Sequence, residues 1–157
     1  MKFTRLNPVT GEVASEAEAM QAVDMAAGAE KAQQGVEAWS KVGPNARRAV
    51  LQKAATALES KQEAFVAAMM GETGATAGWA MFNLMLAASM LREASALTTQ
   101  ISGEVIPSDK PGCMAMALRE PVGVILGIAP WNAPIILGTR AVSTALACGN
   151  AVILKAS

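Results

Sequence analysis

An α/β fold with a parallel sheet is predicted by two features of this sequence. The first is a change of pattern near Ile101, where alanine-rich amphipathic segments give way to short apolar runs. The second is the order strand, helix, strand over residues 122–154, in which both strands are apolar throughout. Strands without polar alternation are typical of a parallel sheet that is buried on both faces.

The first half predicts a hairpin followed by helices. The stretch LNPVTGEV has the turn chemistry of a short hairpin between Phe3 and Val13. Capping boxes and a Gly-Pro break then divide four helices. These helices run from the capping box Ser15–Glu18 to about Trp39, over about Asn45–Glu59, from the capping box Ser60–Glu63 to near Gly71, and over about Ala77–Thr99.

The second half predicts a βαβ unit preceded by a loop and a strand. Its elements are a loop at Ser108–Gly112, a strand at Cys113–Leu118, a buried strand at Val122–Ile128, a helix from Pro134 to about Cys148 and a second buried strand at Ala151–Leu154. In such a unit a ligand binds at the carboxyl ends of the strands. Residues 129–132 and 155–157 emerge there, without a G-x-G-x-x-G phosphate loop.

Composition excludes several classes of function. The 157 residues carry thirteen basic and thirteen acidic side chains, which leaves no electrostatic footprint for nucleic acid. Two cysteines and no histidine exclude a disulfide framework and a Cys/His zinc site. The start lacks the apolar core of a signal peptide, so we expect a cytoplasmic protein.

Two uncharged runs, Thr73–Leu91 and Pro121–Thr139, have about the length that a bilayer requires. Three prolines and Asn132 break the second run, and a polar, glycine-broken start weakens the first. We therefore expect buried core rather than a membrane protein, which is kept as a remote alternative.

The stretch Pro130-Trp131-Asn132-Ala133-Pro134 holds one amide side chain between two prolines. Proline fixes its own φ and favours extended backbone at the preceding residue, so this corner is stiff. Asn132 could act in catalysis through its amide, or it could simply cap the following helix.

At these residues the sequence resembles the aldehyde dehydrogenase superfamily. EPVGVILGIAPWNAP followed by LACGNAVILKAS is similar to that family's signature, and GETG and NPVTGEV extend the resemblance over essentially the whole chain. GETGATAGWAMFN and the LACGNAVILKAS tail are most similar to the branch that oxidises aromatic aldehydes, such as salicylaldehyde and vanillin dehydrogenases.

The resemblance implies the amino-terminal third of such an enzyme. Residues 1–107 would form the helical part of the cofactor-binding domain, residues 108–121 an oligomerisation hairpin segment, and residues 122–157 the first βαβ unit of a Rossmann-like NAD(P)-binding sheet. The complete enzyme would then be a homo-oligomer that oxidises an aldehyde with NAD, with NADP as the alternative cofactor.

The resemblance also implies roles for single residues. Asn132 matches the asparagine that stabilises the oxyanion formed when a cysteine attacks the aldehyde. Lys155 matches the lysine that hydrogen-bonds the adenosine ribose, although lysines at strand ends are commonly just solvated. The segment Ile128, Ala129, Pro130 and Trp131 matches positions that lie along the cofactor, with Trp131 as plain core the alternative.

Substrate contacts are predicted on two helices. Ala133, Leu137 and Arg140 share one helical face, so that Arg140 could meet a ring hydroxyl or carboxylate, or could form an ordinary surface ion pair. Trp79 and Phe82, three residues apart, could form the wall of an aromatic pocket or belong to the core.

Neither cysteine is predicted to be the nucleophile. Cys148 lies at a helix C-terminus, where the helix dipole opposes a thiolate. By resemblance Cys113 falls in the oligomerisation hairpin. The family's nucleophile and general base match no residue of this chain, so we expect the 157 residues alone to be inactive, and a non-catalytic module that retains cofactor-side or oligomerisation contacts is the alternative.

Overall fold

The computed structural model describes residues 2–157 and confirms the α/β class. Five helices and six strands follow one another in the described chain. They are β1 (Lys2–Leu6), β2 (Val13–Glu18), α1 (Ala22–Trp39), α2 (Pro44–Ser60), α3 (Gln62–Thr73), α4 (Ala77–Leu97), β3 (Glu104–Ile106), β4 (Ala115–Ala117), β5 (Val124–Ile128), α5 (Pro134–Ala147) and β6 (Ala151–Lys155).

The strands form three two-stranded sheets. β1 pairs with β2 and β3 with β4, both antiparallel, whereas β5 and β6 are parallel and are joined by α5. The predicted βαβ unit is therefore confirmed. The predicted amino-terminal hairpin is also present, and its turn is closed by the Asn7 side chain, which accepts hydrogen bonds from the N–H groups of Val9 and Thr10.

The buried core lies between α2, α4 and α5. Alanine is frequent in this layer, and its small side chain lets helices approach closely. The fully packed cluster consists of Leu51, Ala55, Ala88, Leu91, Ala94 and Ala147. Helix α5, which joins β5 to β6, therefore packs on α2 and α4 through this core.

Both predicted capping boxes are wrong. Residues 15–18 belong to β2, because pairing with β1 satisfies their backbone groups, and α1 begins four residues after this segment. There the Asp24 carboxylate accepts from the N–H of Gln21 at 2.8 Å. Ser60 is the last residue of α2, and its hydroxyl donates back to the carbonyl of Ala57 at 2.9 Å instead of capping α3.

The prediction that β5 and β6 are fully buried is also wrong. The exposed fractions are 57% for Leu126, 65% for Ile128 and 44% for Leu154. Helix α1 packs near the beginning of the strands, where a Cβ at Gly35 would lie 3.7 Å from that of Ala151. The carboxyl ends of the strands consequently stay open within the described residues.

Helix α5 lies very close to β5. A Cβ at Gly127 would lie only 2.8 Å from the Cβ of Ala141, closer than side chains pack. Glycine at this position is therefore required by the distance between helix and strand.

The described part of the chain contains neither of two further features. None of its helices has both the length and the apolar character needed to cross a membrane. Residues 2–157 also hold no cluster of three or more His, Cys, Asp or Glu side chains that could bind a metal ion.

Candidate active site

The Pro-Trp-Asn corner, residues 129–133, connects the end of β5 to the start of α5. At its entry the N–H of Ala129 donates to the carbonyl of Lys155 at 3.1 Å. At its exit Pro134 is the first residue of α5, and the carbonyl of Ala133 accepts from the N–H of Leu137 at 2.9 Å. Proline suits this position because the first helical N–H has no partner within the helix. Both ends of the corner are thus fixed, one by the sheet and one by the helix.

Asn132 lies in the corner with its side chain exposed. The residue at the N-cap position of α5 is Ala133, and no side chain caps this helix. The alternative that Asn132 caps α5 is therefore wrong. Within residues 2–157 the amide of Asn132 makes no hydrogen bond, so its N–H donors are available to a bound molecule.

Lys155 ends β6 beside the corner. In the register of the parallel pair Lys155 is opposite Ile128, the last residue of β5. Its side chain is exposed, and within the described chain no carboxylate pairs with it. An uncommitted amine beside an open strand edge is suited to a polar ligand that lies across the carboxyl ends of both strands.

The residues around this edge fit a dinucleotide. Ile128 is 65% exposed and Trp131 is 64% exposed, which gives apolar surface on either side of the exposed Pro130, whereas Ala129 is buried. The alternative that Trp131 belongs to the core is wrong for the described residues, because its side chain is exposed. A ring system could pack on these side chains while Lys155 donates to a hydroxyl group.

Trp79 reaches the corner from the first turn of α4. Its indole N–H donates to the backbone carbonyl of Asn132 at 3.1 Å, a contact between residues 53 positions apart in the sequence. The ring stacks on Phe82 with a centroid distance of 5.5 Å and an interplanar angle of 20°. Trp79 is 42% exposed and Phe82 49% exposed, so neither belongs to the core of the described chain.

Arg140 lies on the second turn of α5 and is exposed. Leu137, one turn before it, is half-buried, and Ala133 is buried at the corner. Within residues 2–157 the guanidinium of Arg140 forms no ion pair or hydrogen bond. The structure thus leaves this cation uncommitted on the helix that follows the corner.

The two cysteines lie away from the corner. Cys148 follows the last residue of α5, at the end of the helix opposite to Asn132. Cys113 is exposed in the segment between β3 and β4. That neither residue is the nucleophile of the site stays a prediction.

Asn83 lies next to Trp79 on α4, a contact that the sequence analysis did not identify. It is fully buried one turn after Trp79, and its Nδ2 donates to the Trp79 carbonyl at 3.0 Å. Its Oδ1 has no hydrogen-bond partner in the described chain. The four-residue spacing between Trp79 and Asn83 was the available signal, because such side chains are neighbours on a helix.

Asn150 provides a buried counterpart to Asn132. Its Oδ1 accepts from the N–H of Gly123 at 3.0 Å, and its Nδ2 donates to the carbonyl of Ala145 at 3.2 Å. Asn150 therefore ties the end of α5 to the segment that enters β5. Both polar ends of its amide are used within the fold.

A carboxyl group with a shifted pKa, that of Glu59, lies outside this site. Arg92 on α4 forms two hydrogen bonds to Glu59 on α2, of 2.7 and 2.6 Å, and these bonds lower the pKa of the Glu59 carboxyl. Both side chains are solvent-exposed. This pair joins two core helices on the surface, where an ion pair contributes little.

Comparison with known proteins gives consistent matches over the whole chain. The model described as the aldehyde dehydrogenase family matches residues 1–157. A vanillin dehydrogenase from Pseudomonas fluorescens is 57% identical over 155 residues, which cover 99% of this chain and 32% of that protein.

Two solved structures have closely similar folds. The salicylaldehyde dehydrogenase from Pseudomonas putida G7, crystallised with salicylaldehyde, matches with a TM-score of 0.96 and 43% identity, over 100% of this chain and 32% of that one. The NAD-dependent benzaldehyde dehydrogenase from Corynebacterium glutamicum matches with a TM-score of 0.96 and 31% identity, over 100% of this chain and 34% of that one. This chain spans about a third of the length of these relatives.

Proposed function

This chain belongs to the aldehyde dehydrogenase family, and we propose that it is the amino-terminal part of an enzyme that oxidises an aromatic aldehyde to the carboxylic acid with NAD(P)+. The observation that carries this proposal is the exposed, uncommitted amide of Asn132 in a corner fixed by a strand and a helix. The substrate class is supported by the vanillin, salicylaldehyde and benzaldehyde dehydrogenases among the relatives.

In this proposal Asn132 stabilises the transition state. When a thiolate attacks an aldehyde, negative charge develops on the former carbonyl oxygen. An N–H donor that is already aimed at that oxygen needs no reorganisation, and one such donor contributes roughly 3–4 kcal/mol. The two prolines and the strand-to-helix connection supply that fixed aim.

Lys155 and residues 128–131 are proposed to bind the cofactor. The exposed Lys155 amine would donate to a ribose hydroxyl, and Ile128 and Trp131 would pack along the dinucleotide. When bound, NAD(P)+ supplies the hydride acceptor. NAD is favoured here by the benzaldehyde dehydrogenase, which is described as NAD-dependent.

Three side chains are proposed to select an aromatic substrate. Trp79 and Phe82 form a stacked pair beside Asn132 and would contact the ring. Arg140 would meet a ring hydroxyl or carboxylate, because its guanidinium has no partner in the described chain. A planar guanidinium is well matched to such oxygen groups.

We further propose that residues 1–157 alone are not catalytic and that the complete enzyme is a homo-oligomer. Cys113 and Cys148 lie away from the Pro-Trp-Asn corner, so the nucleophile would come from other residues of the enzyme. The hairpin of β3 and β4 exposes apolar side chains, with Val105 71% and Met116 59% exposed, which suit a contact between subunits.

The proposal is tested in the full-length enzyme with benzaldehyde, salicylaldehyde, vanillin and hexanal, by NADH formation. We expect kcat/KM to be highest for the aromatic aldehydes. Arg140→Leu should lower kcat/KM for salicylaldehyde about tenfold more than for benzaldehyde, because a hydrogen bond to a charged group is lost.

Arg119→Leu is the matched control, since Arg119 is an exposed arginine at the β3/β4 hairpin, 3.8 Å from Glu104. It should leave the substrate order unchanged. Equal losses across the series for Arg140→Leu would show that Arg140 is structural, and a preference for hexanal would refute the aromatic substrate class.

A further inference from the structure

We propose that Trp79 is a positioning residue whose indole N–H fixes the backbone of Asn132 and thereby aims the Asn132 amide. This inference rests on the proposed function, because it assigns Trp79 a task in the same site. It goes beyond a contact with the substrate ring, since it concerns the polar edge of the indole and not its face.

The Pro-Trp-Asn corner has few hydrogen bonds of its own. Its entry is held by the bond from Ala129 to Lys155 and its exit by the bond to Ala133. Between these two residues, within the described chain, the bond from Trp79 to the Asn132 carbonyl is the only hydrogen bond made by the backbone. The peptide unit that follows Asn132 is therefore oriented by a side chain from another helix.

That orientation limits the direction in which the Asn132 side chain leaves the backbone. A held carbonyl restricts ψ of Asn132, and ψ together with the prolines limits where the Cα–Cβ bond points. An oxyanion donor acts through fixed geometry, and small errors of aim lower the rate. A bond to the carbonyl can thus affect catalysis without any contact with the aldehyde.

Trp79 is itself held in place. Its backbone N–H donates to the Thr76 hydroxyl at 3.2 Å, and its carbonyl accepts from the buried Asn83 amide at 3.0 Å. Its ring stacks on Phe82. An indole fixed at backbone and ring can serve as a rigid reference point for the corner.

The contact is also better suited to positioning than to packing alone. An aromatic wall needs only the ring face, which phenylalanine supplies equally well. The indole instead directs its single N–H at a backbone carbonyl 53 residues away in the sequence. Removing that N–H while keeping an aromatic ring therefore separates the two roles.

The test compares Trp79→Phe with Phe82→Leu in the full-length enzyme, with benzaldehyde as substrate. Trp79→Phe should lower kcat about tenfold, the scale of one hydrogen bond, and leave KM for benzaldehyde within about twofold. Phe82→Leu should chiefly raise KM, because it removes part of the wall and leaves the N–H in place. If Trp79→Phe lowers thermal stability, replacement of Trp79 by β-(3-benzothienyl)alanine removes the N–H at almost constant shape.

A double-mutant cycle excludes a merely structural effect. In an Asn132→Ala background, Trp79→Phe should cause less than a twofold further loss of kcat, because the group that Trp79 aims is gone. The same tenfold loss with and without the Asn132 amide would overturn the inference, as would a raised KM with unchanged kcat. If Asn132→Ala alone keeps full kcat, the proposed role of Asn132 fails first, and the inference fails with it.

Discussion

The helical layer of α2, α4 and α5 and the Pro-Trp-Asn corner use asparagine in opposite ways. Just after α5 ends, Asn150 is 4% exposed, and both polar ends of its amide are bonded within the fold. In the corner, Asn132 is exposed and its amide is bonded to nothing in the described chain. The corner keeps only its backbone fixed and leaves the functional group uncommitted.

The same contrast holds for apolar residues. Leu51 in the layer is 1% exposed, whereas Leu126 and Ile128, leading to the corner, are more than half exposed. Burial stabilises the fold in proportion to the apolar area removed from water, so the layer carries more of the stability. The open strand ends are suited to bind other groups. Substitutions in the two regions should therefore separate stability from activity.

The largest effect is expected from Asn132→Ala in the full-length enzyme. Loss of one oxyanion donor should lower kcat on the order of 10²–10³-fold with little change in cofactor affinity or melting temperature. Steady-state kinetics and thermal unfolding measure both quantities.

Asn150→Ala is the matched control for that change. It should lower the melting temperature, because it leaves the Gly123 N–H and the Ala145 carbonyl without their partner. If Asn132→Ala loses activity only in proportion to lost stability, the contrast between the two asparagines is void.

The next largest effect is expected in the helical layer. Leu51→Ala should lower the free energy of unfolding by about 2–5 kcal/mol, since it leaves a cavity in the fully packed cluster. The KM for NAD(P)+ should stay the same for the folded enzyme.

The exposed Leu126 supplies the comparison, and Leu126→Ala should change stability by much less in a chain with this exposure. Denaturant unfolding of both variants measures the difference. Equal destabilisation by the two substitutions would mean that the strand ends are covered in the complete enzyme, which would contradict the contrast between the two regions.

The smallest effect is expected from Lys155→Ala. It should raise KM for NAD(P)+ roughly tenfold with nearly unchanged kcat, because its bond to the cofactor is made equally in the ground and transition states. Lys110→Ala, at an exposed lysine in the segment between β3 and β4, should leave KM unchanged. An unaltered KM in the Lys155 variant would remove this residue from the cofactor site.

Much of the fold could be predicted from local pattern. The βαβ unit could be predicted because its strands are continuous apolar runs and its helix begins at Pro134 and ends before Gly149. The capping boxes failed because the same short patterns also fit a strand or a helix end. Pairing with β1 decides the matter for residues 15–18, and Ser60 is instead the last residue of α2. The three-residue strand β3 was not predicted, since it is too short to show a periodicity.

The candidate site was predicted only in part. The corner and Lys155 are each visible in a few consecutive residues, and their proximity follows from the parallel βαβ order. The bond from Trp79 to Asn132 joins residues 53 positions apart and depends on how α4 packs, which no local pattern encodes. The exposure of Leu126, Ile128 and Leu154 was missed because an apolar run signals burial without saying which residues provide it.

Gly127 makes the position of the Pro-Trp-Asn corner depend on the distance between β5 and α5, outside the site itself. Because Gly127 has no side chain, α5 can pack directly on β5. Helix α5 begins at Pro134, the residue that follows the corner. We expect a methyl group at residue 127 to push α5 away from β5, because it would collide with Ala141. Since Asn132 lies between β5 and α5, its position should change as well. The position of α5, and with it that of Asn132, thus depends on the absence of a Cβ at residue 127.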